Sequence, residues 1–329
     1  MPAAISSPTR PEYLRDLGVA WMNRGHDFMQ QGHRVSLEAS LVAYNEAITT
    51  LRQLPIGENP SWANTLGAAL MNRGQLLHRL HGVEQATVAL GDFDEAAAIL
   101  APLCESNSVR GNPWPRRNLT GTFLNRASLL LDLGQFSTAN TTAREAVVLA
   151  MPYERLDLID ADLSLKSRRC LCDALGRLLV EPGADQNALA TEASDLVDES
   201  LALIRHWTGR HPGVFASLAL RLFRYGTRLY RLHQSQFLAE FIQENLLADN
   251  LELRAIALAA IDDALADQLR DLEFLTIGDP ASEHRLGIWR ELSALRTRLA
   301  AWNISAKSFS ARVSPSFPVI PSPFGTDTN

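Results

Sequence analysis

Leu66-Gly67-Ala68-Ala69-Leu70-Met71-Asn72-Arg73-Gly74 is a near copy of Leu17-Gly18-Val19-Ala20-Trp21-Met22-Asn23-Arg24-Gly25, which lies 49 residues earlier. Seven of the nine positions are identical. A match of that length at that spacing is an internal repeat, and repeats of 20–50 residues decide a fold before any local propensity does. Each copy also shows helical spacing of its apolar groups. In the first copy Leu14, Leu17, Trp21 and Phe28 fall on one face. Pro11 suits a first helical turn and Gly32 a stop.

Outward from these copies the chain reads as helix pairs. The first copy pairs with a helix at about 36–54, carrying Leu37, Leu41, Tyr44, Ile48 and Leu51 on one face. Pro55, Gly57 and Pro60 break the chain, and Ser61 is the expected N-cap of the second copy. A partner follows at about 83–103, with Gly91-Asp92 as a candidate break. Residues 105–117, with Asn112-Pro113-Trp114-Pro115, read as a loop. Further pairs are expected at about 119–133 with 138–150, and at about 157–180 with 187–207. Helices at about 214–233, 235–248, 251–274 and 282–302 complete the reading. No run shows sustained alternation with β-branched enrichment, so strands are not expected. The domain expectation is a Pro/Ser-containing disordered stretch over 1–10, a helical-repeat domain over 11–302, and a disordered Pro/Ser-rich tail over 303–329.

A second signal recurs in the second helix of each pair. Its versions are Tyr44-Asn45-Glu46-Ala47-Ile48, Phe93-Asp94-Glu95-Ala96-Ala97, Ala143-Arg144-Glu145-Ala146-Val147, Val197-Asp198-Glu199-Ser200-Leu201 and Ile261-Asp262-Asp263-Ala264-Leu265. Four residues before each stands a small residue: Ser40, Ala89, Ala139, Ala193 and Ala257. Large and small groups one turn apart let two helices approach closely.

These residues resemble the tetratricopeptide repeat family. Trp21, Gly25 and Phe28 fit its first helix, and Ser40, Tyr44 and Ala47 its second. Leu70, Gly74, Leu77, Ala89, Phe93 and Ala96 repeat the fit, and Phe123, Ala127, Leu130, Gly134, Ala139, Ala143 and Ala146 fit at the family's normal spacing. The likeness covers about 11–152, is weaker over 157–207 and only suggestive over 214–274. It implies an all-α, right-handed superhelical solenoid of irregular helix pairs with a C-terminal capping helix near 282–302, and a concave face that holds a peptide or partner protein. By carry-over that face comprises Met22, His26, Met29, Gln30, Met71, Gln75, His78, Arg79, Leu124, Ser128 and Leu131.

The chain departs from the family in a recurring way. Arg24, Arg73 and Arg126, with Arg168 as a further candidate, stand where leucine is usual before the packing glycine. Each second helix supplies Glu46, Glu95, Glu145 or Glu199. Solvated, unrelated charges are one reading. A half-buried Arg–Glu pair inside each repeat is the sharper one, and an arginine ladder gripping an acidic ligand is the third.

Composition closes off several functions. The net charge of −6 lacks the basic excess that nucleic-acid or membrane-surface binding requires. Cys104, Cys170 and Cys172 form no disulfide framework and no zinc knuckle. The N-terminus has no apolar core of a signal peptide, and the longest apolar run, residues 255–261, is far short of a membrane span. The cytoplasm is therefore the expected address. The acidic string from Asp262 to Asp267 could suggest magnesium, yet no second acidic motif faces it, and repeat phase accounts for it. His78 with His81, and His206 with His211, lack the third ligand of a zinc site. No phosphate loop or nucleophile elbow is present. Neither cofactor nor metal is expected. The expected function is a non-enzymatic scaffold or adaptor whose partner is another protein or peptide. The alternatives are a self-assembling homo-oligomer, favoured by an exposed Leu286, Trp289 and Leu292 stripe, and an all-α metal-dependent enzyme around Asp262 and Asp263.

Overall fold

Gly25 and Gly74 sit where a ring from the next helix leaves no room for a methyl group. A Cβ on Gly25 would lie 3.2 Å from the Tyr44 ring, and one on Gly74 would lie 2.6 Å from Phe93. Two turns earlier the pattern repeats, with Gly18 against Leu51 at 2.6 Å and Gly67 against Leu100 at 2.7 Å. Every residue in one set is 49 positions from its counterpart in the other. The sequence repeat is thus a repeat of contacts: in each of the first two pairs, two large side chains of the second helix fill the space that two glycines open on the first helix.

These contacts come from a computed structural model, which describes residues 10–105, 111–179, 181–183 and 185–208, with 290, 293, 294, 296 and 297. All its regular elements among the described residues are helices. They are α1 (Pro11–Gln31), α2 (Arg34–Leu51), α3 (Pro60–His81), α4 (Ala86–Glu105), α5 (Trp114–Asp132), α6 (Phe136–Ala150), α7 (Leu158–Leu178) and α8 (Gln186–Thr208). Short 3-10 turns lie at Ile56–Glu58, Gly82–Gln85 and Met151–Tyr153. The later helices expected from the sequence lie outside the described residues or reach them at isolated positions only. So do the terminal segments.

The chain divides into two compact units, one ending at Tyr153 and one beginning at Glu154. In the first, each helix packs on its chain neighbour from α1 through α6, and α3 also packs on α1 and on α5. One cluster of its core spans α1 to α5 and includes Met22, Ile48, Leu51, Leu66, Leu70, Leu100 and Leu119. Gly32 and Gly134 end or follow first helices at φ 73° and 72°, a left-handed turn that glycine adopts without steric penalty. In the second unit α7 packs on α8, and Asp157 caps α7 by accepting from the Ile159 N–H at 2.8 Å.

Three local expectations need correction. The N-cap of α3 is Asn59, whose Oδ1 accepts from the Ser61 N–H at 2.9 Å; Pro60 occupies the first turn and Ser61 is inside the helix. Gly91-Asp92 does not break α4, which runs through it because Asp92 is buried and held by a cation on α3. α5 begins at Trp114, five residues before Leu119, because Pro115 is acceptable in a first helical turn. No helix among the described residues is long and apolar enough to cross a membrane.

Candidate functional site

Two sets of side chains carried the sequence reading: a row on α1, α3 and α5, and the arginines. The row is partly accessible and partly packing. Met22 is buried in the core. Met71 is half-buried between α3 and α5, with its sulfur 2.9 Å from where a Cβ on Gly121 would lie. Met29 packs on the cluster of Leu37, Tyr44 and Leu76. The methionines therefore fill gaps between helices, as an unbranched, deformable side chain does well. Met22 is removed from the accessible candidates on this ground.

The polar members remain accessible. Gln30 and Gln75 are exposed, as is Arg79, and His26 and His78 are half-buried. Gln30 Nε2 donates to His26 Nε2 at 2.7 Å. That requires a neutral ring, and burial indeed holds the His26 pKa below its ordinary value, against the pull of Asp27. Arg79 Nη1 donates to the Met29 carbonyl at 3.4 Å, joining α3 to α1. His78 Nε2 lies 2.7 Å from Asp132 Oδ2, joining α3 to α5. Leu124, Ser128 and Leu131 extend the row along α5, each half-buried.

The arginines follow a rule that the sequence only half disclosed. Arg73 makes a two-pronged ion pair with Asp92, Nε to Oδ2 at 2.8 Å and Nη2 to Oδ1 at 2.5 Å, and its Nη1 donates to Asn45 Oδ1 at 3.0 Å. Hydrogen bonding to Asp92 raises its pKa further. Arg126 donates to Thr142 Oγ1 and to Asp94 Oδ1, both at 2.9 Å. Each arginine thus reaches one acceptor on the second helix of its own pair and one on the second helix of the preceding pair. Among the described residues no helix pair precedes that of Arg24, and the position matching Asp92 is Ala43. The Arg24 guanidinium lies over the rings of Trp21 and Phe28 instead, 5.4 and 5.5 Å from their centroids.

The expected glutamates are therefore corrected. The acid on Arg73 is Asp92, one turn before Glu95, and Glu95 takes Arg52 at 2.6 Å. Glu46 is exposed and does not hold Arg24. Arg126 takes Asp94 and Thr142, while Glu145 lines a recess of about 440 Å³ with Asp94, Ala97, Phe123, Arg126 and Thr142. Only Arg168 reaches the glutamate expected of its pair, Glu199, at 3.4 Å, and its main partner is Glu154 at 2.5 Å. The missed acceptors Asn45 and Asp94 stand at the centre of the recurring second-helix signature, directly before the glutamates.

The recess by Arg126 contains hydroxyls and a neutralised cation. Among the described residues no three His, Cys, Asp or Glu side chains converge as a metal site. Cys170 and Cys172 are buried and form no disulfide, and burial pushes the Cys172 pKa up to about 12, which keeps it protonated and a poor nucleophile. No known family model matches this chain, and no curated protein does either.

Proposed function

We propose that this protein is a non-enzymatic adaptor: a tetratricopeptide-like stack of helix pairs, wound as a right-handed superhelical solenoid, that holds a peptide or partner segment on the face formed by α1, α3 and α5. The observation that carries this reading is the side-by-side packing of those three first helices. It leaves a continuous row of accessible hydrogen-bonding groups (Gln30, Gln75, His78, Arg79) beside half-buried leucines on α5. Helix pairs of this kind bury their faces only by stacking, and stacking creates an extended surface of that sort. Mixed polar and apolar character suits an extended segment with apolar anchors and at least one acidic group, which Arg79 would meet. A cytoplasmic address belongs to the same proposal.

The test is selection of binding peptides from a random display library on the full chain. Selected peptides should lose about tenfold or more in affinity for a Gln75→Glu/Arg79→Glu variant of unchanged melting temperature, the scale on which central contacts of an interface act. Peptides that bind parent and variant equally would overturn the assignment of this face.

A further inference from the structure

The three first helices carry one stripe at equivalent positions. In α1 it is Tyr13, Leu17, Trp21, Arg24 and Phe28. In α3 it is Trp62, Leu66, Leu70, Arg73 and Leu77, and in α5 it is Pro115, Leu119, Phe123, Arg126 and Leu130. The stripe is covered in the second and third copies and open in the first. Leu66 and Leu119 are 2% and 3% exposed, whereas Leu17 is 44% and Tyr13 72% exposed.

What covers it in the later copies is the preceding second helix. α2 carries Leu41, Asn45 and Ile48, with Leu41 packed on a cluster that includes Leu77, Asn45 on Arg73, and Ile48 in the cluster with Leu66 and Leu70. α4 carries Leu90, Asp94 and Ala97, with Leu90 packed on a cluster that includes Leu129, Asp94 on Arg126, and Ala97 lining one recess with Phe123. The two sets are again 49 residues apart. They define a docking face: an apolar residue, then an amide or carboxylate four positions on, then an apolar residue three further, all on one side of a helix.

We propose that the open stripe on α1 is a docking site for one amphipathic helix of another protein, which places an Asp or Asn side chain on Arg24 between two apolar residues. Charge complementarity selects this occupant. Among the described residues the guanidinium of Arg24 meets the rings of its own helix and no carboxylate, and an approaching carboxylate gains a charge-assisted bond there. A second copy stacking through α6 would bring Arg144, which occupies the position of Asn45 and Asp94, against Arg24. Residues 1–9, Met-Pro-Ala-Ala-Ile-Ser-Ser-Pro-Thr, carry neither carboxylate nor carboxamide. The site is independent of the row on Gln30, Gln75 and Arg79.

The probe is a labelled synthetic peptide of residues 86–105 with Cys104→Ser, which carries the Leu90, Asp94 and Ala97 face, titrated into the full chain by fluorescence anisotropy. Saturable binding is expected. It should weaken about tenfold or more in Leu17→Asp and in Arg24→Glu chains, and an Asp94→Lys peptide should prefer the Arg24→Glu chain over the parent. The Gln75→Glu/Arg79→Glu chain should bind the peptide as the parent does. Absence of saturable binding, or binding indifferent to both α1 substitutions, overturns the proposal. Arg24 is exposed, so that variant carries the test if Leu17→Asp fails to fold. Two further results would also overturn it by naming another occupant. One is a dimer in sedimentation that Leu17→Asp dissolves. The other is protection of Tyr13 and Leu17 from hydroxyl-radical labelling in the isolated monomer.

Discussion

Arg73 in the first unit and Arg168 in the second do related work at different depths. Arg73 lies at a helix–helix groove with its side chain 18% exposed, and it divides its donors between a carboxylate on α4 and an amide on α2. Arg168 is 2% exposed and is enclosed by its own unit: Glu154 Oε2 and Oε1 at 2.5 and 3.3 Å, the Ser164 hydroxyl, and Glu199 at 3.4 Å. Its Nε has no acceptor among the described residues. Glu154 is itself anchored, because its carbonyl accepts from Trp207 Nε1 at 2.8 Å. The difference teaches where a charge becomes hard to remove. At the groove, water can replace a lost partner. In the interior, a lost partner leaves a charge that only protonation or unfolding can relieve.

The largest expected effect tests that contrast directly. Arg168→Met should cost about 3–5 kcal/mol in denaturant unfolding, since Glu154 stays inside without its cation. Adding Glu154→Gln should recover part of the loss, which a purely steric role for Arg168 would not allow. Asp92→Asn should cost about 1–3 kcal/mol, because the Arg73 left behind is 18% exposed and keeps Asn45. Arg126→Met should cost less than about 1 kcal/mol, because Asp94 is largely exposed. A loss on Asp92→Asn equal to that on Arg168→Met would erase the distinction between groove and interior.

Smaller effects sharpen the likeness between the two copies. Gly74→Ala gains about 1 kcal/mol of helix propensity but forces a contact tighter than van der Waals on Phe93, an overpacking of about 1–3 kcal/mol. Gly25→Ala meets Tyr44 at a more tolerable 3.2 Å, so thermal melting should show Gly74→Ala as the less stable of the two. The smallest effect is expected at Tyr44, whose hydroxyl is buried without a partner and whose pKa burial drives upward. Tyr44→Phe copies the residue that the second repeat carries at Phe93. It should be neutral or stabilise by up to about 1 kcal/mol, because it removes a desolvated hydroxyl.

Much of the helix pairing was legible in the sequence, because a 49-residue identity in Gly18, Gly25, Leu51 and their counterparts reports contacts as well as elements. The acceptors of the arginines were not. Asp92 and Glu95 are three apart and so share a helix face, and no periodicity says which of them the neighbouring helix covers. Of the two, Asp92 is the buried one. The start of α5 was hidden for a different reason: Pro113 and Pro115 read as loop in isolation, although a first turn has no use for the N–H that proline lacks. Arg168 stood in the repeat phase, but Glu154 lies before α7 and carries no repeat signal.

The double reach of Arg73 also bears on how the first unit comes apart. One guanidinium ties α3 to α2 on one side and to α4 on the other, so local opening of α2 cannot leave the α3–α4 pair untouched. Backbone amides of the first two copies should then share a single isotope-exchange free energy instead of fraying copy by copy from the N-terminal end, and severing Asn45 from Arg73 should split that one exchange unit into two.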